Sequence, residues 1–308
     1  MSRALTDSVR RILGHYDGER PGMKANLARL LMQGRMAGSG KLVILPVDQG
    51  FEHGPLRSFG SNPPAYDPLY HFRLAIDANL SALAAPFGLL AAGADRHAGE
   101  IPLILKANNA NALGSVKDEA ITATVRDALE LGCSAIGYTI YPGSDRQYDM
   151  FEEVRAGAAE ARAHGLAVVV WAYPRGGNLR ADEETALDVV AYGAQIAAQL
   201  GAHIIKVKVP SSTFARQDGA ETLAASGLDL SKLADRVAHV VQAAFAGRRI
   251  VIFSGGPTRS DDELLDEARG IAAGGGFGAI MGRNAFQRPH DQAVALLHRI
   301  CDIHLGAA

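Results

Sequence analysis

Two lysines stand one residue apart inside an apolar, β-branched run at 203–209, which is an unusual place for charged side chains. Because side chains alternate across a strand, Lys206 and Lys208 share one face of this run and the apolar residues share the other. An unpaired buried charge is disfavoured, and desolvation or a neighbouring cation lowers the pKa of a lysine towards the neutral amine that attacks carbonyl carbons. The pattern therefore predicts a nucleophilic lysine. The alternative is that both lysines lie at the strand mouth and bind phosphate or water; Lys106, which ends another apolar run, adds a third inward cation.

Other reactive side chains also follow apolar runs. Asp48 comes directly after Leu42–Val47, where poor solvation suits a carboxyl group to proton transfer, although it could also cap the following turn. Trp171 and Tyr173 fall on one face of a further run. Tyr173 could relay a proton and Trp171 could form a pocket wall, but aromatic residues at a strand end more often serve packing.

Small residues and a cation follow the last two apolar runs. Glycines expose backbone N–H groups, and an arginine fork matches phosphate geometry. The pattern predicts a phosphate site, with simple tight turns as the alternative. The residues concerned are Ser254, Gly255, Gly256, Gly282 and Arg283.

Short apolar runs alternate with amphipathic stretches about eight times, which predicts a TIM (β/α)₈ barrel over residues 41–308. Residues 1–40 form a short helical N-terminal extension in this interpretation, with helices at Ser8–Tyr16 and Met23–Met32. A doubly wound open sheet is the alternative, disfavoured because no Gly-rich turn follows the first run. The predicted strands are Leu42–Val47, Leu80–Ala84, Leu103–Leu105, Ala135–Tyr138, Ala167–Trp171, His203–Val209, Ile250–Phe253 and Gly278–Met281. The predicted helices between them are Asp118–Leu131, Asp145–His164, Asp182–Leu200, Asp229–Ala246 and Asp261–Ala273, and Gly50–Asp67 is expected to be a long functional loop.

Composition narrows the class of protein. The 308 residues carry a formal net charge of −2, which gives no electrostatic footprint for nucleic acid or an anionic membrane. No apolar run is long enough to span a bilayer, and two cysteines suit a reducing, cytoplasmic location. The ten histidines show no paired spacing, and among them His53 alone lies near the end of a predicted strand. We therefore expect no metal site and no cofactor.

Taken together, these segments resemble the archaeal-type class I fructose-bisphosphate aldolases. The resemblance implies a TIM barrel, a Schiff-base lysine at Lys206, a catalytic tyrosine at Tyr173, an acid at Asp48, and a large homo-oligomer, often a decamer. A register shifted by two would make Lys208 the nucleophile instead. The matching segments are Gly34–Gly40, Ile44–Pro55, Val170–Gly176, Ala202–Lys208, Ser254–Gly256 and Gly282–Arg288.

The expected activity is that of an aldehyde-lyase of glycolysis and gluconeogenesis, which cleaves fructose 1,6-bisphosphate reversibly into dihydroxyacetone phosphate and glyceraldehyde 3-phosphate. Related barrels act as transaldolase-like synthases or as thiolases on other phosphorylated ketones, and these remain alternatives. A sugar-phosphate-binding barrel without turnover and a metal-dependent aldolase are less favoured. Besides the phosphate residues above, we expect substrate contacts from Lys208, Lys106, Trp171, Arg175 and His53.

Overall fold

Eight parallel strands close into a barrel in the computed structural model, which describes residues 4–224, 229–254 and 260–307. Each strand pairs with its neighbours along the chain, and the last pairs with the first. The predicted TIM barrel is confirmed. The strands are β1 (Leu42–Pro46), β2 (Ala82–Pro86), β3 (Leu103–Lys106), β4 (Ala135–Ile140), β5 (Ala167–Ala172), β6 (Ile204–Lys208), β7 (Ile250–Ser254) and β8 (Gly278–Ile280).

The strands form where the sequence is apolar on both faces, because the barrel has an inside and a helix-covered outside. On β6, Ile205 and Val207 belong to the outer cluster that packs on the helices. Ile204 belongs to the inner cluster, together with Val169 of β5 and Ile250 of β7. This alternation directs Lys206 and Lys208 to the inside, as predicted.

Helices surround the barrel. They are α1 (Asp7–Gly14), α2 (Pro21–Leu31), α3 (Gln49–His53), α4 (Pro55–Phe59), α5 (Pro68–Asp77), α6 (Phe87–Ala91), α7 (Val125–Glu130), α8 (Gln147–Ala163), α9 (Leu187–Gln199), α10 (Gln217–Ala224), α11 (Leu233–Ala243), α12 (Asp261–Ala273), α13 (Arg283–Phe286) and α14 (His290–Leu305). None of those within the described ranges is both long and apolar enough to cross a membrane.

The amino end of the barrel is covered by α1 and α2. Val9 and Met23 from these helices pack in one apolar cluster with inward residues near the strand starts, such as Leu42. The Tyr16 hydroxyl donates a hydrogen bond of 2.7 Å to the backbone carbonyl of His203, directly before β6. The N-terminal helices therefore close the end of the barrel that lies opposite the carboxyl ends of the strands.

Two predictions on local structure are wrong. The helix predicted from Asp118 begins at Val125, because Thr124 and Asp127 form a reciprocal capping box that satisfies its first turn. The residues before it turn back instead, and Ala120–Ile121 pairs antiparallel with Asn108–Asn109 in a short ribbon above β3. The stretch at 50–67, expected to be a loop, contains α3, α4 and a 3₁₀ turn at Pro63–Tyr66.

Candidate active site

The carboxyl ends of five strands surround a cavity of about 430 Å³, hereafter the main cavity. Its location agrees with the general rule that barrel enzymes carry their chemistry at this face. The residues that line it follow or end β1, β5, β6, β7 and β8. They are Pro46, Asp48, Gln49, Glu52, His53, Arg57, Tyr173, Arg175, Glu184, Lys206, Lys208, Ser254, Ile280, Met281, Gly282, Arg283 and Asn284.

Lys206 lies at the centre of this face and is 7% exposed. Its ammonium group hydrogen-bonds the Tyr173 hydroxyl and lies 4.6 Å from the centroid of the Tyr173 ring. Burial lowers the pKa of Lys206 to about 8, with the charges of Lys106 and Arg283 acting in the same direction. At pH 7, about a tenth of Lys206 is therefore the neutral amine.

Lys208 has a different environment although it lies two residues further along β6. Its Nζ lies 2.7 Å from Glu184 Oε2, and both side chains are partly exposed. Among the residues that the structure describes, Lys206 has no such ion pair within 4.0 Å. Burial disfavours the charged form of an amine, so the geometry favours the buried Lys206 over Lys208 as the nucleophile.

Tyr173 is fixed between the lysine and an arginine. The Arg175 guanidinium lies 5.6 Å from the Tyr173 ring centroid and 4.5 Å from that of Tyr141. Lys206 approaches Tyr173 from the neighbouring strand, because Trp171 of β5 pairs with Lys206 of β6. The phenol can exchange a proton directly with the amine.

Acidic and basic groups from the first βα connection face Lys206. Asp48 occupies the N-cap position of α3, but within the described chain its side chain makes no capping hydrogen bond. Glu52 follows one helical turn later, and its carboxylate lies 3.6 Å from His53 Nε2. Burial lowers the pKa of His53. The charges of Asp48 and Glu52 both oppose the lowered pKa of Lys206, which shows that they lie within its electrostatic range.

The predicted phosphate residues that the structure describes lie together at one side of the main cavity. Ser254 ends β7, and Gly282 and Arg283 follow β8. A Cβ atom at Gly282 would lie 2.9 Å from the Pro46 carbonyl oxygen, so this position needs glycine because the first strand approaches closely. Gly255 and Gly256 lie outside the described residues.

Two predicted substrate contacts do not line the main cavity. Trp171 is 1% exposed and belongs to the inner cluster one layer deeper, where its indole fills the space left by Gly137. The prediction that Trp171 forms a pocket wall is wrong, because Tyr173, two residues further along the chain, lines the main cavity instead. Lys106 lies at the end of β3 and lines a separate small cavity, where it pairs with buried Glu119 at 3.4 Å.

Several site residues were missed by sequence reasoning. Asp48 and Glu52 are four residues apart, a spacing that places two side chains on one face of a helix. The prediction of a loop at 50–67 obscures this signal. Glu184, Glu119, Arg57 and Asn284 carry no comparable signal, since connections far apart in sequence bring them to the barrel mouth. In the described part of the chain, no three His, Cys, Asp or Glu side chains group as a metal site.

A desolvated lysine beside a tyrosine, at the carboxyl end of a TIM barrel, is the arrangement that barrel enzymes with a lysine nucleophile require. Comparisons with known proteins give the family. The DeoC/LacD family aldolase model matches residues 42–288. The chain belongs to this family of aldolases, which are lyases, and within it to the archaeal-type class I fructose-bisphosphate aldolases.

Individual relatives cover nearly the whole chain. A protein of Chlamydia trachomatis described as a probable fructose-bisphosphate aldolase class 1 is 36% identical over 313 residues, which is 97% of this chain and 89% of the relative. The fructose-bisphosphate aldolase/6-deoxy-5-ketofructose 1-phosphate synthase of Methanocaldococcus jannaschii is 31% identical and covers 85% of this chain and 81% of its own length. An archaeal fructose-1,6-bisphosphate aldolase, solved with its catalytic lysine bound to a carbinolamine intermediate, superposes with a TM-score of 0.74 at 33% identity, covering 90% of this chain and 98% of its own.

Proposed function

We propose that the protein cleaves fructose 1,6-bisphosphate reversibly into dihydroxyacetone phosphate and glyceraldehyde 3-phosphate, through a Schiff base on Lys206. The observation that carries this proposal is the environment of Lys206, whose buried amine has a pKa of about 8 and a hydrogen bond to Tyr173. The class 1 aldolase relatives support the choice of substrate.

In this mechanism, Lys206 attacks the C2 ketone and forms an iminium ion after loss of water. The iminium ion withdraws electrons from the C3–C4 bond, which can then break without a metal ion. The products are glyceraldehyde 3-phosphate, which leaves first, and an enamine of dihydroxyacetone phosphate. Protonation of the enamine and hydrolysis of the iminium ion regenerate Lys206.

Proton transfers fall to two side chains. Tyr173, in direct contact with the Lys206 amine, gives a proton to the leaving hydroxyl group of the carbinolamine and protonates the C3 carbon later. Asp48, whose carboxyl group lines the main cavity, accepts the C4 hydroxyl proton during cleavage or orients a water molecule there.

Phosphate binding orients the sugar. Arg283, Ser254 and Gly282 hold the phosphate on the dihydroxyacetone side, with Gly255 and Gly256 as further members of the proposed set. The positive charge of Arg283 interacts electrostatically with Lys206 and His53 and contributes to the lowered pKa of both. Arg175 at the opposite wall contacts the second phosphate, with Lys208 and His53 nearby. Anchoring both ends places the ketone carbon against Lys206, where proximity has its largest effect.

Borohydride reduction tests the proposal. The protein is incubated with dihydroxyacetone phosphate, reduced, digested and examined by peptide mass spectrometry. We expect one stable adduct on the peptide that contains Lys206, with the nucleophile assigned by comparison of Lys206→Met and Lys208→Met. No adduct, or loss of turnover on treatment with EDTA, contradicts a metal-independent Schiff-base mechanism.

A second candidate is a synthase that uses the same iminium ion on another phosphorylated ketone. The double activity in the description of the M. jannaschii relative favours it. It predicts the same borohydride adduct, so the two are separated by substrate. Cleavage of fructose 1,6-bisphosphate in a coupled triose phosphate assay supports the aldolase. An adduct without that cleavage supports the synthase.

We also propose that the protein is a homo-oligomer, such as a decamer, in the cytoplasm. Large apolar side chains that remain exposed on one chain support association, among them Leu56 at 78% and Tyr148 at 71%. Cys133 and Cys301 are free and buried, which fits a reducing compartment. Light scattering of the purified protein measures the assembly, and a monomeric mass contradicts this proposal.

A further inference from the structure

A second buried ionisable cluster lies behind the active-site wall, and the mechanism above does not use it. The side chains of Lys106 and Glu119 are 4% and 3% exposed, and Lys106 Nζ lies 3.4 Å from Glu119 Oε2. The Tyr141 hydroxyl donates a hydrogen bond to Glu119 Oε1. Burying such a pair costs more than packing apolar groups of similar size, so its presence beside an active site points to a functional role.

The fold holds Glu119 firmly in this position. The ribbon formed by Asn108–Asn109 and Ala120–Ile121 brings Glu119 back over the end of β3. Asn108 Oδ1 accepts a hydrogen bond of 2.6 Å from the Thr139 backbone N–H, and its Nδ2 donates one of 2.8 Å to the Thr139 carbonyl. These two bonds fasten the ribbon to β4. The carboxyl group of Glu119 is therefore placed by rigid backbone.

A small cavity of about 10 Å³ connects this cluster with the active site. Its lining includes Glu119, Lys106 and Tyr141 of this cluster, and also Asp48, Glu52 and Tyr173, which line the main cavity as well. A volume near this size holds one water molecule where several polar groups converge. A water at this place would have both Tyr173 and Glu119 among its neighbours.

Resting on the proposed Schiff-base function, we propose that Glu119 stores the proton that Lys206 must lose, and that one water in the small cavity carries it between Tyr173 and Glu119. In the first step, an N–H bond of the Lys206 ammonium breaks and leaves its electron pair on nitrogen. The proton goes to the Tyr173 oxygen, the Tyr173 hydroxyl proton passes to the water, and the water gives one of its own protons to a Glu119 carboxylate oxygen. A neutral amine and a neutral carboxylic acid result.

The return transfer completes the cycle. The amine attacks the ketone, the C=O π pair moves to oxygen, and one proton passes from the nitrogen to that oxygen to give the carbinolamine. Glu119 then returns its proton through the water and Tyr173 to the carbinolamine hydroxyl group. The C2–O bond breaks with its electron pair on oxygen, a water molecule leaves, and the nitrogen lone pair forms the iminium bond. Glu119 is again a carboxylate beside the Lys106 ammonium, and it acts as a positioning residue because it touches no substrate.

The electrostatics of the two groups support this transfer. Burial raises the pKa of Glu119 despite the opposing charge of Lys106 and the hydrogen bond from Tyr141. Burial lowers the pKa of Lys206 despite the opposing charges of Asp48 and Glu52. The two shifts bring the proton affinities of donor and store closer, which makes the transfer between them less costly.

Glu119→Gln tests the proposal, because the amide keeps the size of the side chain but cannot store a proton. The rate of Schiff-base formation with dihydroxyacetone phosphate is followed by rapid quenching into borohydride. We expect this rate and kcat to fall about a hundredfold while KM and the final amount of adduct change by less than about threefold. Glu119→Asp, which retains a carboxyl group, recovers at least about a tenth of the parental rate.

Controls separate the relay from a structural role. Glu19→Gln neutralises another partly buried carboxylate, paired with Arg162 at the opposite end of the barrel, and leaves the rate unchanged. Should Glu119→Gln lose its fold, Glu119→Gln with Lys106→Met removes the unpaired ammonium and shows the same slow adduct formation. A folded variant that forms the adduct within about threefold of the parental rate, or an aspartate variant as slow as the glutamine one, overturns the relay. Absence of any adduct in the parent overturns the proposed function and the relay together.

Discussion

The polar residues at the two ends of β6 differ in their environment: those at the amino end contact other protein groups, whereas Lys206 at the carboxyl end faces the main cavity. At the amino end, the Val168 N–H donates to His203 Nδ1 at 2.8 Å, so the neutral ring carries its proton on Nε2, which faces Glu19 at 3.6 Å. Glu19 is held in turn by Arg162 at 2.6 Å. At the carboxyl end, Lys206 shares its amine with Tyr173 and otherwise faces the main cavity. The five residues of β6 thus separate the cluster of His203, Glu19 and Arg162 from the pair formed by Lys206 and Tyr173.

The difference shows how a barrel divides its two faces. The amino end is covered by α1 and α2, where the Tyr16 hydroxyl donates to the His203 carbonyl and Arg162 pairs with Glu19. The carboxyl end keeps a cavity of about 430 Å³, which is lined by Lys206, Asp48 and Arg283 among others. Substitutions at the first end should change stability, and those at the second should change activity.

The largest effect is expected from Lys206→Met. Loss of the proposed nucleophile should remove the covalent route, so we expect kcat to fall by about 10⁴-fold or more with little change in the unfolding midpoint. Lys208→Met is the matched variant on the same face and, because Lys208 is paired with Glu184, should cost less than about a hundredfold. Steady-state cleavage assays of both variants measure the ratio, and equal losses would contradict the assignment of the nucleophile.

Tyr173→Phe should have the next largest effect. The ring remains against Lys206 and Arg175, but the proton donor is lost, so we expect kcat to fall by about 10²- to 10³-fold. The borohydride adduct on Lys206 should still form, more slowly. Cleavage at the parental rate would show that another group moves the proton.

The pH dependence of adduct formation sharpens the comparison further. Because the pKa of Lys206 is lowered to about 8, the attacking neutral amine is the minor form below that pH and the major form above it. The initial rate should rise about tenfold per pH unit below 8 and level off above it. Stopped-quench measurements between pH 6 and 10 give the midpoint. A midpoint near 10.5, the ordinary value for lysine, would mean that Lys206 is not desolvated.

The smallest effect is expected at the amino end. Tyr16→Phe removes the hydroxyl that donates to the His203 carbonyl and should lower the free energy of unfolding by about 1 kcal/mol. Because the change lies at the opposite end of β6 from Lys206, kcat should stay within about twofold of the parent. Urea unfolding and a cleavage assay on the same sample check both halves, and a large fall in kcat would break the division between the two faces.

Much of the architecture could be predicted because it depends on local periodicity. Each of the eight predicted strands overlaps an observed one, and the inward direction of Lys206 follows from alternation along a single strand. The sequence predicts the start of helix α7 too early, because Asp118 resembles a helix start signal, whereas the reciprocal cap at Thr124 and Asp127 satisfies more backbone N–H groups. Asp118 instead accepts a hydrogen bond from the Glu119 N–H in the preceding loop.

By itself, the sequence determined the barrel, the face on which two lysines lie and the level at which Asp48 and Tyr173 follow their strands, since these depend on short-range spacing. The tertiary structure alone decided that Lys206 is buried, which lowers its pKa, and that Lys208 pairs with Glu184 from a separate connection. It also decided that Trp171 fills the interior and that Glu119 lies behind Tyr173. Ion pairs and burial depend on residues that come into contact only when the barrel closes, and such long-range contacts cannot be predicted from the local periodicity of the sequence.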